Sequence, residues 1–494
     1  MNKKLILRLI GFVMMIEAAL MVLPVIVAFI YGEDDWLWFL VTAVPLGGIG
    51  FLFSRFKSNG RQLYSKDGYI ITALAWIVMS LAGAVPFTIS GEIPNYLDAV
   101  FETVSGFTTS GCTALTDIEA MSFSMLFWRS LTHWIGGMGI LVFMLAIVNS
   151  GEGGSGLFIM KAESPGPEVD KVVPKVRQSA MYLYYVYAAL TVIEIICLVI
   201  AGLPVYNSII VAFGTMATGG FSYSSQSLGL LTFAQQNIVT VFMFIAGINF
   251  ALFILALSGK PLKALKNEEF LSYAAIYVLA CVLIAVNVYT SGNFDSVREA
   301  VHYTAFMVAS VITTTGFSVT DANLFPLFSK TVILVIMFIG ASSGSTAGGI
   351  KVSRVVIMVK SVKRRLKQIM HPRSVENVRF SGKVVSKQTE HGILFYFCIF
   401  ILLFFGSLII VSLDPAMDGD FLTAFSGVAT TINNNGIAFG ASSGSFSVFK
   451  WYSKVVFIID MLIGRLEIFP IVVLFMSIIN PVTSLTKKIK SKVA

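Results

Sequence analysis

The chain has 494 residues, of which 56% are hydrophobic and 13% are charged, and its formal net charge is +8. Soluble globular domains are about 45–50% apolar and about 25% charged, so this composition excludes a soluble domain and predicts a polytopic membrane protein. The four cysteines and four histidines are scattered along the chain. That spacing predicts neither a transition-metal site nor a disulfide framework.

About ten apolar runs are long enough to cross a membrane. They lie near residues 5–31, 36–54, 69–89, 122–149, 180–202, 233–258, 271–291, 326–358, 391–413 and 449–481. The first run is long enough to span, which favours an uncleaved helix over a cleaved signal peptide. Most of the 35 Lys and Arg residues fall on one side when the N-terminus is cytoplasmic. This asymmetry predicts cytoplasmic N- and C-termini, and it explains the net charge without a nucleic-acid partner.

The first two spans enclose no polar segment, whereas the other eight form pairs, and each pair encloses a shorter amphipathic stretch on the outer side. These stretches, at 96–107, 207–216, 296–312 and 421–432, are too short to span and predict half-helices that end in mid-membrane. A polar segment that ends on glycine follows each of them. The four segments, named filter 1 to filter 4 in chain order, are Thr108-Thr109-Ser110-Gly111, Ala217-Thr218-Gly219-Gly220, Thr313-Thr314-Thr315-Gly316 and Asn433-Asn434-Asn435-Gly436.

The four filters predict a pore that is built by internal repetition within one chain. Non-helical backbone is tolerated at membrane depth only where protein covers it or water fills the space beside it. Each half-helix would point its negative C-terminal end inward, which favours a cation whose hydration shell the filter carbonyls can replace. The alternative is four outer loops that are rich in turn residues by chance. Four occurrences on the same membrane face, each after an amphipathic stretch, favour the pore.

The predicted fold is an all-α polytopic membrane protein, with two N-terminal spans and four helix–pore-helix–filter–helix repeats around a central pore. The predicted domains are two spans at 1–66, repeat 1 at 67–150, a cytoplasmic loop with repeat 2 at 151–260, repeat 3 with a basic cytoplasmic loop at 261–390, and repeat 4 with a basic tail at 391–494. A match to GxGxxG at 151–156 follows a span rather than a strand, so no nucleotide site is expected in this chain.

The repeated unit and the filter motifs Thr-Thr-Ser-Gly and Thr-Thr-Thr-Gly-Phe-Ser resemble the Trk/Ktr/HKT superfamily of potassium transporters over nearly the whole chain. The two leading spans make the chain most similar to the bacterial TrkH-type membrane subunits. In this superfamily each filter carries one key glycine, and Gly111, Gly220, Gly316 and Gly436 occupy those positions. The resemblance therefore implies K⁺ as the transported ion. Ala217 and the three asparagines of filter 4 depart from the pattern, which predicts looser discrimination than in a symmetric channel.

A run of Gly, Ala, Ser and Thr at 340–349, named the glycine loop, interrupts the eighth predicted span. Glycine weakens helices and serine competes for backbone hydrogen bonds, so a break is predicted there. A broken helix in mid-membrane should line the cavity below the filters. We interpret Gly340, Gly344, Gly348 and Gly349 as parts of a flexible gate, which the resemblance also implies. The alternative is a small-residue interface for tight helix packing.

Arg465 lies at a similar depth in the last span, between Asp460 and Glu467. A charge at this depth costs free energy unless it faces the pore or a partner. The resemblance implies that this arginine forms a barrier to cations below the filters. The alternative is an ion pair with Asp460 or Glu467. Two other polar residues within spans, Arg129 and His133, are predicted to be interhelix partners rather than ion ligands.

The resemblance implies gated, channel-like K⁺ uptake across the inner (cytoplasmic) membrane by a homodimer that binds cytosolic regulatory subunits of TrkA type. Nucleotide is then expected only on that partner, and the basic loop at 360–387 would contact it or anionic lipid. The alternative function is a secondary transporter that couples K⁺ to H⁺ or Na⁺, because broken helices also form midplane sites in such proteins. No enzymatic activity is expected, since the sequence offers no set of nucleophile, base and acid.

Overall fold

The computed structural model describes residues 3–56, 65–139, 176–294, 296–374, 376–417 and 419–479. Within these ranges the regular secondary structure is almost entirely helical, with one antiparallel hairpin of β1 (Arg379–Phe380) and β2 (Lys383–Val384). The predicted all-α membrane fold is therefore confirmed. The predicted continuation of the fourth span to residue 149, the motif at 151–156 and the basic tail after residue 479 lie outside the described residues.

Two spans precede the repeats. The first consists of α1 (Lys3–Leu20) and α2 (Val22–Tyr31), and the second is α3 (Trp36–Ser54). α1 and α3 cross closely at a pair of glycines, since a Cβ on Gly11 would lie 2.6 Å from the Gly50 carbonyl oxygen and a Cβ on Gly50 would lie 2.8 Å from that of Gly11. Small residues let helix backbones approach in this way inside membranes.

The remaining helices form four repeats, each with an outer helix, a half-helix, a filter and a returning helix. Repeat 1 contains α4 (Ser65–Ile89), α5 (Tyr96–Phe107) and α6 (Phe123–Gly137), and repeat 2 contains α7 (Val176–Ile200), α8 (Val205–Met216), α9 (Phe233–Ala246) and α10 (Phe250–Leu257). After the short α11 (Pro261–Leu265), repeat 3 contains α12 (Glu268–Thr290), α13 (Val297–Ile312), α14 (Leu327–Ile339) and α15 (Val352–Met370). Repeat 4 contains α16 (Lys387–Val411), α17 (Phe421–Asn433), α18 (Trp451–Arg465) and α19 (Phe469–Ile479).

The half-helices α5, α8, α13 and α17 agree closely with the predicted stretches. Three of them begin at polar N-caps, because the side chains of Asn95, Ser296 and Asp420 accept hydrogen bonds from backbone N–H groups of the first turn. Such caps satisfy donors that a helix start leaves free. α5 has 12 residues, so at about 1.5 Å per residue it covers about 18 Å of a hydrocarbon core about 30 Å thick. The half-helix is therefore too short to cross such a core.

The predicted span at 233–258 is not one helix, which corrects the sequence-based prediction. α9 and α10 are bent by 89° at a short break. The glycine loop occupies this break, where Ser342 N donates to Gly247 O at 3.1 Å and Phe250 N donates to Gly344 O at 3.0 Å. Backbone groups that the bend frees are thus satisfied by another segment, as a break inside a membrane requires.

The predicted span at 449–481 is also broken, between α18 and α19. Glu467 and Ile468 have left-handed φ values of 55° and 68°, and α18 ends just before them at Arg465. Pro470 follows and lacks the N–H that would continue the helical hydrogen bonds. The break therefore has a sequence signal, which hydropathy alone did not detect. A third break, between α14 and α15, is the one that the glycine loop predicted.

Six helices within the described ranges are long and apolar enough to cross a membrane alone, and the bent α9–α10 pair adds a seventh span if it counts as one. The other predicted spans consist of shorter helices on either side of a break, or are described only in part. The chain is thus a multi-pass membrane protein. In repeats 2, 3 and 4 the returning helix is interrupted by a break.

The basic segment predicted at 360–387 is more ordered than a solvated loop. α15 runs through its first part, and the hairpin β1–β2 follows. Arg364 bonds both carboxylate oxygens of Glu390 at 2.9 and 2.6 Å, and Lys360 forms an ion pair with Glu268. These contacts hold the segment against the starts of α12 and α16.

Candidate ion-binding site

The four filters meet in a closed ring in which the last glycine of each faces a backbone carbonyl of the next. A Cβ built on any of these glycines would collide with the carbonyl oxygen of the third residue in the neighbouring filter. The collision is an outright overlap at three positions, and at Gly436 the Cβ would lie 2.9 Å from the oxygen. The pairs, in order around the ring, are Gly111 with Gly219, Gly220 with Thr315, Gly316 with Asn435 and Gly436 with Ser110.

All four filters share one backbone conformation although their sequences differ. The second residue is left-handed in each copy, with φ of 55° at Thr109, 54° at Thr218, 56° at Thr314 and 52° at Asn434. The final glycines are left-handed as well, with φ between 74° and 83°. In every copy the first three residues are buried and only the last glycine is partly exposed. A ring of backbone groups with this regularity can coordinate a cation in place of water.

In filters 1, 3 and 4 the side chain of the first residue bonds the last turn of the half-helix. Thr108 Oγ1 donates to Val104 O and Thr313 Oγ1 donates to Ala309 O, both at 2.6 Å. In filter 4 a carboxamide takes the same role, since Asn433 Nδ2 donates to the carbonyl four residues earlier at 2.8 Å. Ala217 has no side-chain donor and makes no such bond. The departures predicted for filters 2 and 4 therefore differ in effect: the asparagine preserves the contact and the alanine loses it.

The glycine loop runs directly beneath the filters. Gly348 N donates to Thr314 Oγ1 at 2.6 Å, and Thr346 Oγ1 donates to Met216 O at 3.1 Å. A Cβ on Gly348 would overlap the carbonyl oxygen of Asn433. Gly340, Gly344 and Gly349 have φ of 72°, 73° and 75°, a region that side chains with a Cβ rarely adopt. Of the predicted gate glycines, Gly348 thus contacts filters 3 and 4, and Thr346 of the same loop contacts the end of the second half-helix.

The guanidinium of Arg465 lies between filter 1, the glycine loop and the end of α6. It donates to Thr109 Oγ1 at 3.3 Å and to Thr346 O at 2.8 Å. It also donates to the Gly136 and Gly137 carbonyl oxygens, each at 2.6 Å. These four oxygen acceptors fix the guanidinium of Arg465 close to the base of the ring.

The two carboxylates considered as ion-pair partners of Arg465 bond elsewhere. Glu467 forms an ion pair with Arg354, and Asp460 Oδ1 accepts a hydrogen bond from Ser407 Oγ at 2.7 Å. The sequence neighbourhood was therefore a poor guide to the contacts of this arginine, because the break after α18 turns Glu467 away along a left-handed backbone.

A family model for TrkH, described as a cation transport protein, matches residues 48–487 of the chain. The chain belongs to the TrkH family. A relative from Salmonella typhimurium, the Trk system potassium uptake protein TrkH, is 33% identical over 484 residues, which cover 96% of this chain and 99% of the relative. The Trk system potassium uptake protein TrkG of Escherichia coli is 32% identical over 471 residues, which cover 94% and 96% of the two chains.

A solved structure has the same fold. The crystal structure of the potassium transporter TrkH from Vibrio parahaemolyticus is similar to this chain with a TM-score of 0.86 and 31% sequence identity. The similarity covers 96% of this chain and 98% of that one, so it includes the two N-terminal spans and all four repeats.

Charged residues that the sequence reading missed anchor the glycine loop of this TrkH family member. Glu269, at the start of α12, accepts a hydrogen bond from Ser343 N at 2.6 Å. The ion pair of Arg354 with Glu467 joins the start of α15 to the break after α18. The available signal was position, since Glu269 and Arg354 stand at the edges of spans where a charge needs a nearby partner.

Arg129 and His133 join neighbouring elements behind filter 1, as predicted. Arg129 Nε bonds Glu102 of the half-helix α5 at 2.5 Å, and both side chains are buried. Its Nη1 donates to Ser222 O at 3.1 Å, which extends the contact to repeat 2. The Nδ1 atom of His133 lies 2.7 Å from Gly106 O. A buried pair of this kind fixes positions, because removing one partner leaves an uncompensated charge.

A carboxylate also connects repeats 1 and 2 through the loops that follow filters 1 and 2. Glu119 accepts hydrogen bonds from Ser224 Oγ at 2.7 Å, Ser225 N at 2.9 Å and Ser225 Oγ at 2.5 Å. Burial alone would raise the pKa of Glu119, but the bonds from Ser225 and Ser224 outweigh it and lower the pKa to about 2.

We predict that Gly220→Ala destabilises the protein more than Gly436→Ala. Both changes strain a left-handed residue, but the new Cβ overlaps a carbonyl oxygen at Gly220 and lies 2.9 Å from one at Gly436. Overpacking typically costs about 1–3 kcal/mol, so the melting temperatures of the purified variants should separate. Gly48→Ala is the control, because no atom lies within 4 Å of that Cβ. Equal melting temperatures for the two filter variants would contradict the ring geometry.

We predict that the contact of Glu119 with repeat 2 weakens in acid. Its pKa is lowered from 4.5 to about 2, so its stabilising bonds are complete above about pH 4.5 and are lost as the pH falls towards 2. Hydrogen-exchange protection of the Ser225 amide, corrected for the intrinsic exchange rate, should decline over that interval. In Glu119→Gln the protection should be independent of pH, and a parallel decline in both proteins would disprove the assignment.

Proposed function

We propose that the chain takes up K⁺ across the inner (cytoplasmic) membrane through the ring formed by the four filters. The single observation that carries this proposal is the closed ring of Gly111, Gly220, Gly316 and Gly436 against neighbouring carbonyls. Relatives named potassium uptake proteins, with 32–33% identity over nearly the whole chain, support potassium as the ion.

Electrostatics and geometry together favour a cation in the ring. Each half-helix directs a C-terminal end, equivalent to about half a negative charge, towards the ring. Backbone carbonyls of the filters then replace part of the hydration shell. No titrating side chain is needed for this step, because the first three residues of each filter are Thr, Ser, Asn, Ala or Gly.

The proposed gate is the glycine loop at 340–349, with Arg465 as a positive barrier beside it. The loop bonds filter 3 through Gly348 N, and Arg465 bonds both filter 1 and the loop. An ion that leaves the ring towards the cytoplasm would therefore meet small, left-handed residues and a positive charge. Movement of the loop would open the path and would also separate Arg465 from Thr346.

The expected partners follow from the membership of the family and from the basic cytoplasmic side. We propose a homodimer, with cytoplasmic N- and C-termini, that binds cytosolic regulatory subunits of TrkA type and carries nucleotide only on those subunits. The exposed Lys363 and Arg365 of α15 offer positive charge for such a partner or for anionic lipid.

A second candidate, a transporter that couples K⁺ to H⁺ or Na⁺, is supported by the broken spans. The 89° bend between α9 and α10 and the left-handed break at Glu467 and Ile468 resemble the interrupted helices that form midplane sites in secondary transporters. The two mechanisms differ in their driving force. A pore lets K⁺ flow only down its own gradient, whereas a coupled transporter also responds to the H⁺ or Na⁺ gradient.

We predict that the reversal potential of the protein in liposomes follows the K⁺ gradient alone. A shift with an imposed H⁺ or Na⁺ gradient would favour the coupled transporter instead.

Gly111→Ser should lower the K⁺ to Na⁺ permeability ratio by about tenfold, or about 1.4 kcal/mol of discrimination, because its side chain overlaps the Gly219 carbonyl oxygen. An unchanged ratio in this variant would exclude the ring as the selectivity site.

We predict that Arg465→Ala raises K⁺ flux by about tenfold, which corresponds to a barrier lowered by about 1.4 kcal/mol. Deletion of residues within 342–348 should raise flux as well, since it shortens the proposed gate. Arg55→Ala, which removes an exposed arginine at the end of α3, is the matched control with unchanged flux. If Arg465→Ala folds but conducts like the wild type, the arginine has a structural role only.

A further inference from the structure

Filter 4 differs from the other three because two of its side chains donate hydrogen bonds to neighbouring repeats. Asn434 Nδ2 donates to Ser110 Oγ of filter 1 at 2.6 Å and to Met461 O of α18 at 2.9 Å. Asn434 and Ser110 are both buried. The carboxamide therefore connects filter 4 to the adjacent filter 1 and to the helix that carries Arg465.

The contact with Ser110 continues into the first half-helix. Thr108 Oγ1 donates its proton to Val104 O at 2.6 Å. A hydroxyl has one proton, so in the 2.9 Å bond between Thr108 Oγ1 and Ser110 Oγ the serine is the donor. Asn434, Ser110, Thr108 and Val104 thus form one chain of hydrogen bonds in which every donor has an acceptor.

Asn435 makes the corresponding contact on the other side. Its Nδ2 donates to Val311 O, in the last turn of the half-helix α13, at 2.7 Å. Filter 4 is therefore bonded to both of its neighbours by carboxamides, to repeat 1 through Asn434 and to repeat 3 through Asn435.

Filter 2, opposite filter 4, has no comparable contact. Ala217 carries no polar atom, Gly219 has no side chain, and Thr218 Oγ1 donates to the adjacent Ala217 O at 2.6 Å. Among the described residues, no side chain of filter 2 bonds another filter. Side-chain hydrogen bonds thus join filter 4 to filter 1 and to the half-helix that precedes filter 3, whereas filter 2 is held by backbone packing.

We infer that Asn434 and Asn435 are positioning residues that hold filters 3, 4 and 1 as one unit and thereby maintain the discrimination between K⁺ and Na⁺. The inference rests on the proposed function of the ring. A ring that coordinates the larger ion must resist contraction around the smaller one, and bonds between neighbouring segments oppose such movement. Asn434 and Asn435, which differ from the residues at the same positions in the other filters, then strengthen the ring rather than loosen it.

The other repeats supply the substitutions for the test. Asn434→Thr reproduces the second residue of filters 1, 2 and 3, which is threonine at the same left-handed φ, but a threonine is too short to reach Ser110. Asn435→Ser reproduces the third residue of filter 1. Asn323→Thr is the matched control, because Asn323 also joins repeats 3 and 4, through Gly440 N at 2.8 Å, but does so in the outer loops.

The measurement is the K⁺ to Na⁺ permeability ratio from reversal potentials of the full-length protein in liposomes. Asn434→Thr and Asn435→Ser should each lower the ratio by about three- to tenfold, the effect expected from the loss of one hydrogen bond between repeats, while K⁺ flux persists. Asn323→Thr should keep the wild-type ratio. Ser110→Ala should lower it as Asn434→Thr does, and the double variant should be no worse than either, as coupled partners require.

Wild-type ratios in both asparagine variants, or an equal decrease in Asn323→Thr, would overturn the inference while leaving the ring as the site of conduction. A wild-type protein without preference for K⁺ would instead overturn the proposed function, so the two failures are distinguishable. Additive losses in the Ser110→Ala and Asn434→Thr double variant would show that the two side chains act separately and would also contradict the inference.

Discussion

The close approach of four glycines to four carbonyl oxygens is the constraint that governs the rest of this structure. None of these contacts tolerates a Cβ, and each joins one repeat to the next. The half-helices must therefore end at the same depth and the second filter residues must all be left-handed. Irregular backbone within a membrane must be covered by protein or water, and the returning helices and the glycine loop provide that cover.

The breaks in the returning helices are consequences of the same requirement. The glycine loop fills the bend between α9 and α10, where its Ser342 N and Gly344 O satisfy groups that the bend frees. The break after α18 places Glu467 against Arg354. Each interruption is thus compensated by a segment from another repeat, so the loop beneath the filters is bonded on several sides and its displacement must disturb more than one repeat.

One backbone conformation is maintained in the four filters by different side chains. Threonine closes the half-helix in repeats 1 and 3, a carboxamide does so in repeat 4, and repeat 2 has no equivalent. The longer asparagine side chains of filter 4 also reach the neighbouring repeats 1 and 3. A single chain can distribute these roles unequally, whereas four identical subunits could not.

The sequence by itself determined the class of the protein, the positions of the four half-helices and the four filters, and the interruption at 340–349. These features depend on hydropathy, on length and on local glycine content, all of which are properties of neighbouring residues. Gly247, Asn249 and Pro470 were also local signals for two further breaks, but the apolar residues around them dominated the hydropathy. Such breaks are stable only when another segment satisfies the freed backbone groups.

Only the tertiary structure decided which atoms meet. Arg465 bonds Thr109 and Gly136 rather than the adjacent carboxylates, and Asn434 bonds Ser110, although more than 300 residues separate each of these pairs. Residue type indicates that a buried arginine or asparagine needs partners, but the choice among distant candidates depends on how four repeats close into a ring. That closure is a property of packing between repeats, which no local pattern in the chain encodes.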